Sequence, residues 1–240
     1  MSDTVYEKVL PLIRQGQYKQ AHDLIVPVMT KQTIDVERSK YLVFGNKNSP
    51  YFSETKAEEC LGKLASMDDS WAVAERGRCF LFGILGTQDS YKAEDLFVSV
   101  EGREPMADYY RAMIHMQGFH KNEAKESVYD LNEAKKILKN LIGKKTPFKS
   151  KAMLSFCDVE IKLGRMSPAE KVEVFKILSE LVSSSPDKEV HRIYMKFLAL
   201  QAHAELQDFA LKQGSGKSHK DKSDYDSANK MIAGLISVYN

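Results

Sequence analysis

Residues 72 to 97 read AVAERGRCFLFGILGTQDSYKAEDLF, and this stretch decides the fold. We predict a helix from Ala72 to Leu85, which the glycines Gly83 and Gly86 bring to an end. Beyond this break the apolar residues recur three and four positions apart, at Ala93, Leu96, Phe97 and Val100. That spacing is typical of an amphipathic helix with one buried face. The stretch therefore predicts two helices joined as a hairpin.

The same unit recurs along the chain. A small apolar residue follows a polar one and opens an amphipathic stretch at Ala21, Ala57, Ala93, Ala134, Val172 and Ala228. We predict further helices before these stretches, at 107–117 and 151–163, and we find no alternating pattern of the kind that predicts strands. A single hairpin cannot bury its apolar face, whereas stacked hairpins bury a continuous core. The expected fold is all-α, an α/α solenoid of about five to six helical hairpins.

The third unit resembles the Sel-one-like repeat through Ala72, Gly77, Phe80, Gly83, Asp89, Lys92, Ala93, Leu96 and Phe97. The first unit is similar to the tetratricopeptide form, through Gly16, Tyr18 and Ala21. The resemblance extends over residues 4 to 182 and implies a right-handed superhelix. It also implies a function, since proteins of these families mostly scaffold complexes, assist secretion or regulate signalling.

The residue types of the third unit have physical roles in the fold. Gly77 and Ala93 lack bulk, so we expect the two helices to approach closely there. Phe80 and Leu96 are expected to fill the space around that approach. Asp89 is placed to cap the second helix, because its carboxylate can accept hydrogen bonds from unpaired backbone N–H groups.

The C-terminal part departs from the repeat, so we divide the chain into a solenoid at 1–182 and an irregular hairpin at 183–240. Asp187 is expected to start a long helix at 188–212. A polar, basic loop follows at 212–223, and a final helix is predicted from Tyr225 to Val238. Because terminal repeats need a polar outer face, we expect this hairpin to cap the same domain.

Composition limits the class of protein. The 240 residues carry 35 Lys and Arg against 33 Asp and Glu, and 43% are hydrophobic. These values exclude disordered, collagen-like and disulfide-scaffold classes. The net charge of +2 predicts no large non-specific attraction to nucleic acid or anionic membrane.

Location and redox state follow from the cysteines and the N-terminus. Cys60, Cys79 and Cys157 form no CxxC pair, so we expect three buried, reduced thiols and a cytoplasmic protein. The first twelve residues lack the apolar core of a secretory signal, and no stretch is apolar enough to span a bilayer.

Motifs for catalysis, cofactors and metals are missing from the sequence. The segment at 214–218, GSGKS, lacks the first glycine of a phosphate-binding loop, because that position is Leu211. His115, His120 and Glu123 lie near one another without the spacing of a metal motif, and no HExxH is present. We therefore predict no catalytic residue, no cofactor and no metal.

The expected function is a non-enzymatic scaffold or adaptor that binds a peptide or helix of another protein on the concave face of the solenoid. The first helix of each unit lines that face. The residues expected to contact the partner are Tyr6, Arg14, Trp71, Arg78, Phe82, Tyr109, Met113 and Met116. Trp71 and Met113 have the alternative role of packing against the adjacent repeat.

Two further functions stay open. The first is nucleic-acid association through the loop at 212–222, which contains Lys212, Lys217, Lys220 and Lys222; the near-neutral total charge disfavours it. The second is an enzyme whose pocket forms between repeats. The sequence leaves the oligomeric state undecided.

Overall fold

The computed structural model describes residues 4–118, 120–121, 127–212 and 230, and only the backbone of residues 120–121, 127–128 and 206–212. Over this part of the chain the all-α prediction is confirmed. The helices are α1 (Val5–Arg14), α2 (Tyr18–Ile25), α3 (Ile34–Phe44), α4 (Glu54–Ser66), α5 (Ser70–Phe82), α6 (Ser90–Ser99), α7 (Pro105–Gln117), α8 (Leu131–Ile142), α9 (Lys149–Leu163), α10 (Pro168–Ser184) and α11 (Lys188–Lys212).

Two short elements add to the helices. A 3-10 turn at Val26–Val28 follows α2. Two-residue strands, β1 (His120–Lys121) and β2 (Ser127–Val128), pair in antiparallel fashion after α7. These strands were not predicted from sequence, because two residues are too few to produce an alternating pattern. No helix within the described ranges is long and apolar enough to cross a bilayer.

The chain divides into two compact units, Met1–Ile137 and Leu138–Asn240. In the first unit, helices adjacent in sequence pack together, as α1 does with α2, α3 with α4, and α5 with α6. Helices two apart also contact each other, as in the pairs α1 with α3 and α5 with α7. The predicted division at residue 182 stays a prediction.

Side-chain caps and glycines set the ends of the hairpin α5–α6. Asp69 begins α5 by accepting a hydrogen bond from the Trp71 N–H, 3.1 Å away. The helix spans Ser70–Phe82 and ends at Gly83, before the predicted end at Leu85, because the φ of +61° at Gly83 lies in the left-handed region that favours glycine. Asp89 then begins α6 and accepts from the Lys92 N–H at 3.1 Å, so its predicted capping role is confirmed.

The close approach of α5 and α6 is confirmed at Gly77, but the residue that fills the space differs from the expectation. A Cβ atom at Gly77 would lie 2.5 Å from Cε1 of Phe97, which is fully buried. The predicted residues, Phe80 and Leu96, are only half-buried. Phe80 instead lies beside cations, with the Lys92 ammonium 5.6 Å from its ring. The Phe97 ring therefore packs into the space that the missing side chain of Gly77 leaves.

The repeated small residues are core positions in the first four predicted repeats. Ala21, Ala57, Ala93 and Ala134 are all fully buried. The prediction for the fifth repeat was wrong, because Val172 is 68% exposed. The buried face of α10 consists of Val174, Ile177, Leu178 and Leu181. The sixth position, Ala228, lies outside the described residues.

The second unit contains the helices α9, α10 and α11, each packed against the others. Its core includes the buried side chains of Phe156, Leu178 and Phe197. The predicted helix at 188–212 is confirmed, and the Asp187 carboxylate accepts from the Glu189 N–H at 2.9 Å. Apart from Lys212 and Lys230, the predicted basic loop and final helix lie outside the described residues.

Candidate functional site

A buried hydrogen-bond network joins α3 to α5 in the first unit. The Glu75 carboxylate is 8% exposed and accepts hydrogen bonds from the Tyr41 hydroxyl and from Nε of Arg78, the latter at 2.7 Å. Burial, followed by the Glu75 charge, raises the pKa of Tyr41 far above its usual value. The hydrogen bond to Glu75 likewise raises the pKa of Arg78. The phenol therefore stays protonated and the guanidinium stays charged. We call these three residues the Glu75 network.

An open groove of about 430 Å³ borders the Glu75 network. The side chains of Ile13, Leu42 and Ile84 form its apolar wall. Lys47, which is exposed, and Arg78, which is 29% exposed, add positive charge. The groove therefore offers an apolar surface beside two cations.

A second group, the Arg38 stack, consists of Tyr6, Arg38, Asp69 and Trp71. The Arg38 guanidinium lies 5.1 Å from the Trp71 ring and 5.9 Å from the Tyr6 ring. Its Nε and Nη2 atoms donate to the two carboxylate oxygens of Asp69, both at 2.7 Å. Such a two-point ion pair fixes the plane of the guanidinium and with it the positions of both rings.

A third group, the Tyr110 cluster, consists of Phe82, Phe97, Tyr109 and Tyr110. The Tyr110 ring stacks on Phe97 at 6.0 Å and meets Phe82 and Tyr109 edge to face at 5.6 and 5.4 Å. Phe97 is fully buried, whereas Phe82 is 54% exposed. The aromatic rings of the cluster thus form a continuous row from the buried Phe97 to the exposed Phe82.

The structure assigns most of the predicted partner-binding residues to these groups. Tyr6 and Trp71 are joined through Arg38, Phe82 and Tyr109 through Tyr110, and Arg78 belongs to the Glu75 network. Arg14 is exposed outside these groups, and Met113 is half-buried on α7. The prediction that Met116 contacts a partner was wrong. Met116 is 7% exposed and belongs to the core, because it lies on the buried side of α7 together with Ala112.

Five residues of these groups were missed from sequence: Arg38, Tyr41, Asp69, Glu75 and Tyr110. Arg38 and Tyr41 lie three apart, on one face of α3. The helix α3 precedes the predicted repeat stretch at Ala57 but was not itself predicted from sequence, although Thr33 is a capping residue whose hydroxyl accepts a hydrogen bond from the Val36 N–H. Predicting this helix would have drawn attention to both residues.

The three cysteines behave as core residues, as expected. Cys60, Cys79 and Cys157 are free and buried. Burial raises the pKa of Cys60 to about 12 and that of Cys79 to about 11, and it also raises the pKa of Cys157. Because the thiolate is the nucleophile, these thiols are poorly reactive near neutral pH.

A metal site is not formed by the side chains that the structure describes, among which no three His, Cys, Asp or Glu residues are grouped to hold an ion. His115 is 5% exposed, and its Nε2 lies 3.9 Å from the Glu94 carboxylate. The side chain of His120 and the whole of Glu123 lie outside the described part.

Comparisons with known proteins give no match: no protein family, no curated protein and no solved structure is similar to this chain. The residues and geometry of the Glu75 network, the Arg38 stack and the Tyr110 cluster are therefore the basis for inferring its function.

Proposed function

We propose that this chain is a non-enzymatic scaffold, a helical-repeat solenoid that binds a segment of another protein along its first helices. The packing of α1 with α3 and of α5 with α7 supports this, because first helices adjoin one another in a solenoid. The Tyr41–Glu75 hydrogen bond and the Arg38–Asp69 ion pair supply a matching link from α3 to α5.

The observation that carries the proposal is an exposed aromatic side chain, Phe82, on the same helix as partly exposed arginine and tryptophan side chains that internal contacts hold in place. Phe82 lies one turn beyond Arg78 on α5 and exposes 54% of its surface. Arg78 is held by Glu75, and Trp71 is held by Arg38. Side chains that are already ordered lose little entropy on binding, and Trp, Tyr and Arg dominate the energetics of protein interfaces.

The groove indicates the chemistry of the bound segment. The wall of Ile13, Leu42 and Ile84 suits an apolar side chain of the partner. Lys47 and the exposed edge of Arg78 suit a neighbouring carboxylate. We therefore propose a peptide or helix that carries apolar residues together with Asp or Glu.

The test is a selection from a displayed library of random peptides against the purified full-length chain. Enriched peptides are synthesised and their affinities measured by fluorescence anisotropy. We expect a consensus that combines apolar and acidic residues. The variant Lys47→Ala/Phe82→Ala changes two exposed side chains and is expected to weaken binding at least about tenfold, a loss of about 1.4 kcal/mol.

A matched control replaces a lysine and an aromatic residue on a second helix, Tyr91→Ala/Lys92→Ala in α6. Both side chains are exposed, and this variant is expected to bind as the unchanged chain does. Circular dichroism checks that both variants stay helical. Equal affinities for the two variants, or a library without any enriched sequence, would overturn the proposal.

A further inference from the structure

A lysine cluster lies on the connection between α8 and α9 and on the first turn of α9, within the second unit. Residues 144–151 read KKTPFKSK and contain Lys144, Lys145, Lys149 and Lys151. No Asp or Glu occurs from residue 138 to residue 157. We call these four residues the lysine turn. From sequence, only the basic loop at 212–222 was considered for nucleic-acid binding.

The near-neutral total charge conceals an uneven distribution. The first unit, 1–137, carries 18 Lys and Arg against 21 Asp and Glu. The second, 138–240, carries 17 against 12. The expectation of weak attraction to polyanions rested on the sum. The local charge of the second unit is positive, and the lysine turn is its densest part without an acid.

Hydrogen bonds hold the lysine turn in a defined conformation. The Lys144 N–H donates to the Leu141 carbonyl at 3.1 Å. Thr146 accepts twice, from the Phe148 N–H at its hydroxyl and from the Lys149 N–H at its carbonyl, both at 3.2 Å. The Lys151 ammonium lies 5.7 Å from the Phe148 ring. The charges are therefore carried by an ordered turn and by the first turn of the helix that follows it.

Three of the four lysines offer their positive charge to a partner. Lys145, Lys149 and Lys151 are exposed, and none of them forms an ion pair with another described residue. By contrast, Lys139 on α8 lies 3.9 Å from the Glu173 carboxylate. Binding an anion at the turn would thus require no internal ion pair to break at these three lysines.

We infer that the lysine turn binds the phosphate backbone of nucleic acid, a function beyond the proposed scaffold. Lysines alone suffice for this partner, because backbone binding is driven by the release of counterions. A protein interface uses apolar and aromatic anchors, and stable membrane binding needs a second, apolar signal. Between residues 138 and 157 no large apolar side chain is exposed, which favours the phosphate backbone over both.

The experiment measures anisotropy of a labelled short duplex DNA and a labelled single-stranded RNA with the full-length chain, from about 50 to 200 mM salt. If the three exposed lysines neutralise three phosphates, the logarithm of the binding constant falls with the logarithm of salt with a slope of about −3 on the duplex. Binding of both probes supports readout of the phosphate backbone, and binding of one assigns the preferred backbone.

Two variants with the same change in net charge separate the lysine turn from general electrostatics. Lys144→Gln/Lys145→Gln/Lys149→Gln/Lys151→Gln is expected to bind at least about tenfold more weakly at low salt and to lose most of the salt slope. Lys8→Gln/Lys19→Gln/Lys31→Gln/Lys63→Gln removes four exposed lysines of the first unit and is expected to bind as the unchanged chain does.

Three outcomes would overturn the inference. The first is that neither probe binds at low salt. The second is equal weakening by the two variants, which would assign the effect to net charge. The third is equal or tighter binding of poly-glutamate or of vesicles containing phosphatidylserine, which would assign the turn to an acidic protein or to a membrane. None of these results bears on the peptide selection, so the two proposals fail separately.

Discussion

Gly77 of α5 lies directly against the ring of Phe97 of α6, so closely that a single methyl group would come within 2.5 Å of it. Phe97 is fully buried and in turn stacks on Tyr110 of α7. The absence of a side chain at one position thus determines how three helices pack and how the Tyr110 cluster is supported.

Gly77→Ala is expected to destabilise the chain by about 1–3 kcal/mol, because the Phe97 ring has to move within a closely packed core. Urea denaturation followed by circular dichroism measures the loss. Gly62→Ala is the matched control: Gly62 lies in α4 with no atom within 4 Å of an added Cβ, and this substitution is expected to stabilise by about 0.5–1 kcal/mol. A Gly77 variant as stable as the Gly62 variant would contradict the packing described.

Glu75→Ala is expected to cost about 2–3 kcal/mol, because Tyr41 and Arg78 both lose the carboxylate that accepts their hydrogen bonds. The control is Glu58→Ala, which breaks the partly exposed pair between Glu58 and Arg76 and is expected to cost less than about 1 kcal/mol. Thermal denaturation of both variants provides the comparison. Similar losses would show that burial does not distinguish the two pairs.

The pH dependence of stability is expected to contain a contribution from Asp89. The Asp89 carboxylate accepts a hydrogen bond from the Lys92 backbone N–H, and this bond holds the pKa of Asp89 below its usual value. A lowered pKa means that the unfolded chain takes up the proton first as the pH falls. The stabilisation is therefore complete above the ordinary carboxyl pKa and is lost as the pH falls through the folded value.

The test compares Asp89→Asn with the unchanged chain in urea titrations from acid to neutral pH. Asn can still cap α6 but does not titrate. The stability advantage of Asp89 is expected at neutral pH and to shrink in acid. A difference that stays constant across the acid range would rule out this linkage. Asp95→Asn, an exposed acid within the same helix, serves as the control.

Local periodicity predicted the helices well because a buried stripe repeats within one helix. The predicted spans at 107–117 and 151–163 differ from α7 and α9 by two residues at the start and by none at the end. The same reasoning was wrong at Val172, where α10 has apolar residues on more than one face. The choice of the buried face depended on the packing of the neighbouring helices, which a local pattern does not record.

The candidate site was predicted only in part for a related reason. Trp71, Arg78 and Phe82 share one helix, so the spacing on that helix was enough to select them. Arg38 reaches Asp69 across 31 residues, and Tyr41 reaches Glu75 across 34. Contacts between successive hairpins depend on how the hairpins stack, and no spacing within one hairpin specifies them.

The carboxylate of Asp69 links the first turn of α5 to α3. It accepts from the Trp71 N–H at the first turn of α5 and holds the Arg38 guanidinium of α3 at the same time. Fraying of the first turn of α5 would therefore break the ion pair between Asp69 and Arg38 and remove this contact from α3. We expect the two segments to open as one cooperative unit.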